Sequence, residues 1–178
     1  MENILLVTLF AYLLGSISFA IIISKLFNIK DPRTYGSKNP GATNLLRGGS
    51  KLVAFFTLLG DFLKGYIAIF FVKQFSQDLN YGNWGIFFVV IGVFLGHIWP
   101  IFFRFNGGKG VSTGAGILFG INLELGSAVL CSWIIIAYTF RYSSLAAIVS
   151  GFFAPVYYSL IIGFDEIFFS IVLISSIL

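Results

Sequence analysis

The chain has 178 residues, of which 58% are hydrophobic and 10% charged, with a formal net charge of +4, one cysteine and one histidine. A mean hydropathy of +0.96 excludes an ordinary soluble domain, and the lone Cys131 excludes a disulfide framework or a cysteine metal cluster. The apolar runs do not alternate with polar residues as barrel strands would, which leaves an all-α polytopic membrane protein, one compact helical bundle with a single domain over residues 1–178.

The first apolar run, roughly Ile4–Phe27, is long enough to cross a bilayer. Glu2 precedes it, no basic segment opens it, and it is too long for a cleaved signal peptide. Lys25, Lys30, Arg33, Lys38, Arg47 and Lys51 follow, so that side is expected to be cytoplasmic and the N-terminus outside. A second span is expected over Leu52–Phe71, then an outer connector, Gln74–Asn83, holding Asp78 and no base. Trp84–Phe103 returns inward, with Trp99 and Pro100 near the interface where an aromatic belt sits. Gly110–Phe140 is too short for two full crossings, and Asn122 and Glu124 interrupt it. The expectation is two short helices, Val111–Ile121 and Leu125–Thr139, of a kind that often line a cavity. Ser144–Ile162 then crosses outward, Asp165 and Glu166 form an outer turn, and Ile167–Leu178 starts inward.

Three polar islands interrupt these runs. The first, Tyr35–Arg47, reads Y-G-S-K-N-P-G-A-T-N-L-L-R. Gly36, Pro40 and Gly41 make its first part a turn-rich loop, and a short helix can start at Ala42 with Thr43 or Asn44 as cap. Hydroxyls, small residues and a guanidinium suit a phosphate. As a plain alternative, the stretch is a solvated loop between helices. The second island, Arg104–Thr113, reads R-F-N-G-G-K-G-V-S-T. Glycines around Lys109 at the start of a helix make an anion nest, although the run is not a Walker A loop, since Gly110 rather than Ser or Thr follows the lysine. The third island, Arg141–Ser144, is short and unspecific by itself. The glycine pairs 92/96, 110/114 and 116/120 have the spacing for close helix contact.

Asp61 and Lys64 are three apart on a helix and are read as a structural ion pair inside the membrane. His97 is read as tying neighbouring groups together rather than as a base. One histidine and scattered acids supply no metal site.

Four stretches together resemble the bacterial acyl-phosphate-dependent glycerol-3-phosphate acyltransferases, integral-membrane enzymes of phospholipid synthesis. They are G-S-K-N-P-G-A-T-N-L-L-R at 36–47, D-F-L-K-G at 61–65, L-G-H-I-W-P-I-F-F-R-F-N-G-G-K-G-V-S-T at 95–113 and R-Y-S-S-L-A at 141–146; L-L-G-S-I-S-F-A at 13–20 also fits. The resemblance implies about seven transmembrane helices in the bacterial inner membrane with a site open to the cytoplasm. It also implies acyl transfer from acyl phosphate to the 1-hydroxyl of glycerol 3-phosphate, without a cofactor, metal or nucleic-acid partner. Carried over by position, Ser37, Asn39, Thr43, Asn44 and Arg47 match the first functional loop. Gly107, Gly108, Lys109 and Gly110 match the phosphate loop, and Ser144 matches a substrate-contacting serine. Of these, Ser37, Arg47, Lys109 and Ser144 are the expected catalytic group and the others bind substrate. The family pattern continues past Leu178 into a basic tail with a histidine and an asparagine, so the chain is expected to be a fragment or to lack part of the site. Another acyltransferase class uses a histidine followed five positions later by aspartate, but that position here is Phe102. The alternative from a different class is a small transporter or channel for an anionic phosphorylated solute, since short helices and glycine-rich loops occur there too. A third is a structural or assembly protein.

Overall fold

The structure is a computed structural model that describes residues 2–75 and 82–178. Among the described residues all regular structure is helical: α1 (Glu2–Gly15), α2 (Phe19–Leu26), α3 (Ala42–Arg47), α4 (Lys51–Phe75), α5 (Gly82–Ile98), α6 (Val111–Ile121), α7 (Leu123–Phe140), α8 (Ser143–Ile161) and α9 (Glu166–Ile177). Five stretches are long and apolar enough to cross a membrane, namely Ile4–Leu26, Lys51–Gln74, Gly82–Phe103, Leu123–Phe140 and Ser143–Ile161, and α6 and α9 are shorter apolar helices. The expected connector Gln74–Asn83 lies mostly outside the described residues, Asp78 included.

The first apolar run is a candidate span as expected, Ile4–Leu26, but it is built of two helices, α1 and α2. The break falls at Ser16–Ser18, where α1 is held close to α5: a side chain at Gly15 or Gly96 would run into backbone of the other helix. The Ser16 hydroxyl donates to the Tyr12 carbonyl at 2.8 Å, local bonding of the kind that competes with helix. The freed Ile17 carbonyl accepts from Lys64 Nζ at 2.8 Å, so a backbone group released at membrane depth is satisfied by a side chain of α4. Apolar periodicity shows no such break, since it depends on partners distant in sequence.

Elsewhere α4 extends past both expected ends, to Lys51 and Phe75, and α5 ends at Ile98, followed by a single 3-10 turn at Ile101–Phe103. Two helices follow Gly110 as expected, joined by Asn122 alone, but only α6 is short, since α7 with 18 residues is long enough to cross a membrane; the Asn122 side chain caps α7 by accepting from Leu125 N at 2.9 Å. The cap of α3 is Gly41, not Thr43 or Asn44, because the Asn44 side chain is committed to the preceding loop.

α5 is the central helix, with Val89, Val90, Val93 and Phe94 fully enclosed in the main apolar core that also takes Ile69, Ile117, Leu125, Tyr158 and Ile171. α4 and α6 run side by side in the same direction: Ser112 meets Leu58, Gly116 lies against the Phe62 backbone, and Lys73 Nζ donates to the Gly120 and Ile121 carbonyls. Glycines at 65, 116 and 120 let the two backbones approach, which is how membrane helices associate when lipid and core are equally apolar. Of the glycine pairs noted in the sequence, 92/96 and 116/120 pack this way. Gly110 instead is the left-handed residue before α6 (φ +84°) and lies under the Phe94 ring.

Candidate active site

α6 sets the depth of the site. Its 11 residues rise only about 16 Å, roughly half of a bilayer core. The Ser112 hydroxyl donates to Leu58 O at 2.7 Å, so α6 starts level with the third turn of α4 rather than with its first. Leu58 lies seven residues beyond Lys51, so the N-terminus of α6 is set back by about 10 Å from the start of α4. The loop 107–110 that feeds it is set back with it, with the partial positive charge of a helix N-terminus behind it.

The loop is fitted around His97. Gly108 N donates to the His97 carbonyl at 3.1 Å, and Gly107 packs on the carbonyls of His97 and Ile98 and on the Pro100 ring. Gly108 faces His97 Nε2, where a methyl group would collide. Both glycines are therefore required by close approach. Upstream, Arg104 and Phe105 occupy consecutive left-handed conformations (φ +55° and +59°), an arrangement that costs a non-glycine residue roughly 1–2 kcal/mol and persists only where surroundings enforce it. Lys109 is exposed.

The first island folds into a loop and the short helix α3. Asp31 caps a 3-10 turn at Pro32–Thr34 and takes Arg33 in a paired contact, with Nη2 to Oδ2 at 2.7 Å. The Arg33 hydrogen bonds hold the Asp31 carboxyl below its ordinary value. The hub of the loop is Asn44, which is buried. Its Oδ1 accepts from Ser37 N at 3.1 Å, and its Nδ2 donates to Pro32 O at 2.8 Å and Tyr35 O at 3.2 Å. Gly36, at φ +58°, lies against the same Oδ1. Asn44 thus positions Ser37 from behind, and its side chain turns into the loop rather than out of it. Ser37, Lys38, Thr43 and Arg47 are exposed, and Asn39 is half-buried.

Ser144 is exposed in the first turn of α8, after Arg141 at φ +57°. The 18 residues of α7 rise about 27 Å against about 16 Å for α6. Since Asn122 alone turns the chain between them, α7 outruns α6, and Arg141–Ser144 stands beyond the glycine loop. Among the described residues the side chains of Arg47, Lys109 and Ser144 make no hydrogen bond or ion pair within the protein. The structure joins Ser37 to Asn44, and Gly107 and Gly108 to His97; among the described residues no side-chain hydrogen bond or ion pair links one of the three islands to another.

Asp61 and Lys64 form the expected ion pair, 2.9 Å apart, with side chains 4% and 1% exposed. The contact is ionic rather than an aligned hydrogen bond. His97 Nδ1 lies 3.5 Å from the same Asp61 oxygen and 3.1 Å from Thr113 Oγ1. His97 thus contacts both Asp61 and Thr113. Sequence reasoning missed the Ile17 carbonyl and Tyr12, whose hydroxyl donates to Trp99 O at 2.8 Å; the only signal was the G-S-I-S run at 15–18 inside an otherwise apolar segment.

Residues 5–178 match the family described as glycerol-3-phosphate acyltransferase. A glycerol-3-phosphate acyltransferase of Herminiimonas arsenicoxydans is 54% identical over 100% of this chain and 88% of its own length. One from Janthinobacterium sp. (strain Marseille) is 53% identical over 99% of this chain and 88% of its own. Among solved structures, PlsY (YgiH), an integral membrane glycerol 3-phosphate acyltransferase, superposes in its glycerol 3-phosphate form with a TM-score of 0.90 at 33% identity, covering 98% of this chain and 86% of that one. Its lysophosphatidic acid form gives a TM-score of 0.88 at 32% identity. With the match running through all three polar islands and the bundle that carries them, this chain belongs to the glycerol-3-phosphate acyltransferase family.

Proposed function

We propose that the protein transfers an acyl group from acyl phosphate to the 1-hydroxyl of glycerol 3-phosphate, giving lysophosphatidic acid and inorganic phosphate. The observation that carries this reading is the glycine loop 107–110 at the set-back N-terminus of α6, with Lys109 exposed beside it. Family membership and the glycerol 3-phosphate form of the PlsY neighbour support it. The acyl donor is taken from the sequence resemblance. We further propose one domain over residues 1–178, placed in the bacterial inner membrane with the three islands toward the cytoplasm, as the basic residues around them favour.

Acyl phosphate is a mixed anhydride with a good leaving group, so the protein needs no covalent intermediate. The glycerol hydroxyl oxygen bonds to the carbonyl carbon, and the bond from that carbon to the phosphate oxygen breaks. The electron pair leaves with phosphate, and the hydroxyl proton passes to a substrate phosphate oxygen. Protein groups bind, align and neutralise charge. Lys109, the loop amides and the helix N-terminus hold one phosphate; Arg47 supplies a planar guanidinium to the other. Ser37, with its backbone fixed by Asn44, and Ser144 offer hydroxyls to the reacting groups, and Asn39 and Thr43 complete the first loop. His97 is packed behind Gly108, which argues against its service as the base.

The test is substrate dependence. Purified protein should release phosphate from acyl phosphate only when glycerol 3-phosphate is present, and should not use acyl-CoA. Equal turnover with acyl-CoA overturns the choice of donor. Flux of phosphorylated solutes into liposomes without acyl transfer replaces the enzyme with a transporter.

A further inference from the structure

We propose that Asp61, Lys64, His97 and Thr113 form a buried brace that sets the position of the glycine loop, making all four positioning residues for substrate phosphate. The proposal rests on the reading that this loop holds a phosphate, and extends it to residues that touch no substrate.

The brace joins four elements at one level of the bundle. Lys64 of α4 reaches the Ile17 carbonyl at the break between α1 and α2, at 2.8 Å. It also meets Asp61 at 2.9 Å. The same Asp61 oxygen faces His97 Nδ1 of α5 at 3.5 Å. Thr113, in the first turn of α6 and fully buried, shares a 3.1 Å hydrogen bond with that nitrogen. From His97 the contacts pass to the loop: its carbonyl takes Gly108 N, and its Nε2 edge packs against the Gly108 backbone.

Stability alone does not account for such a cluster. A buried ion pair is often no more stabilising than a well-packed apolar pair of the same volume. This one supplies direction. Asp61 and Thr113 converge on one side of the imidazole. Without them the ring is free to turn about its last side-chain torsion, a broad one, and its Nε2 edge then swings against or away from Gly108. A displacement of about 1 Å in a group that holds substrate is enough to spoil alignment. Lys109 follows Gly108 directly and moves with it. The second fastener, Ser112 on Leu58 O, holds the start of α6 but leaves the loop free to tilt.

The experiment compares variants by their Michaelis constants for both phosphate substrates, with folded protein quantified by size-exclusion chromatography and thermal unfolding. Lys109→Ala defines the pattern of a disturbed loop. Thr113→Val keeps the buried volume and removes the hydroxyl, and Thr113→Ser restores it. The double variant Asp61→Leu/Lys64→Met removes both charges without leaving either one stranded. Thr113→Val and the double variant should reproduce the Lys109→Ala pattern, raising the same KM by about tenfold, the effect of one lost hydrogen bond, with kcat changed much less. Thr113→Ser should return KM close to the wild-type value. Wild-type Michaelis constants in the folded brace variants, or a loss that follows only the amount of folded protein, overturn the brace while Lys109→Ala keeps the loop as a phosphate site. If Lys109→Ala itself leaves both Michaelis constants unchanged, the loop is no phosphate site and the brace falls with it.

Discussion

Ser37 and Arg47 bracket the first island, and they differ in what a substitution would remove. The backbone of Ser37 is fixed through Asn44, so Ser37→Ala deletes one exposed hydroxyl and leaves the loop standing. Arg47→Lys keeps the charge but loses a planar fork of donors. Each should cost about 2.7–4 kcal/mol of transition-state stabilisation, a hundredfold or more in turnover. Steady-state kinetics on folded protein checks this, and mass spectrometry after exposure to acyl phosphate should find no acyl adduct on Ser37. A trapped acyl-serine would replace direct transfer with a two-step route. Asn44 behaves otherwise. Its three hydrogen bonds all lie inside the loop, so Asn44→Ala should make the segment around Ser37 more sensitive to protease as it lowers activity. The polar residues of this island were legible from sequence as a group. Their division into those that face outward and the one that faces inward was not, because it depends on carbonyls at Pro32 and Tyr35 whose direction no side-chain pattern encodes.

At the scale of helices, the contact of α4 with α6 separates two glycines only two positions apart. A methyl group at Gly116 would strike the Phe62 carbonyl. One at Gly114 would sit 3.7 Å from the Phe94 ring, an ordinary contact. Gly116→Ala should therefore lower stability by about 1–3 kcal/mol through forced separation of the helices. Gly114→Ala should be neutral or stabilising by up to about 1 kcal/mol, since glycine is a poor helix former. Unfolding in detergent distinguishes the two. Similar losses in both variants would mean that the close approach of α4 and α6 is misassigned. Helix positions were largely readable from run length and hydropathy, including the division of Gly110–Phe140 into two helices. The interruption at Ser16–Ser18 was not, because an apolar run marks what lipid tolerates while the break is held by Lys64, 47 residues away in sequence.

For the molecule as a whole, the basic loops and the acidic turn at the start of α9 favour one orientation. Asn83 donates to Asp165 at 3.2 Å, so the start of α5 and the start of α9 share the end opposite the glycine loop. With Cys131 replaced by serine, Lys30→Cys should react with a membrane-impermeant maleimide only in inside-out vesicles, and Phe164→Cys only in right-side-out ones. The reverse result would turn the site to the outer face. Membrane class, helical fold and family were all legible in the sequence, since composition and three ordered islands carry them. The depth of the islands was hidden, because depth is a relation between α4, α6 and α7 that no single stretch contains.

The shortness of α6 has a consequence for where the two substrates meet. An acyl phosphate carries a hydrocarbon tail that is stable in lipid, whereas glycerol 3-phosphate is stable only in water. With substrate phosphate on the loop as proposed, about 10 Å below the start of α4, aqueous solvent would descend to the level of the acyl chains without breaching the bilayer. On the proposed reading, neither reactant has to leave its own phase, and the free-energy penalty for drawing a chain out of lipid, about 0.8 kcal/mol per methylene, never enters the barrier. On that reading a truncated helix does the work of a phase boundary bent inward to the reacting carbon.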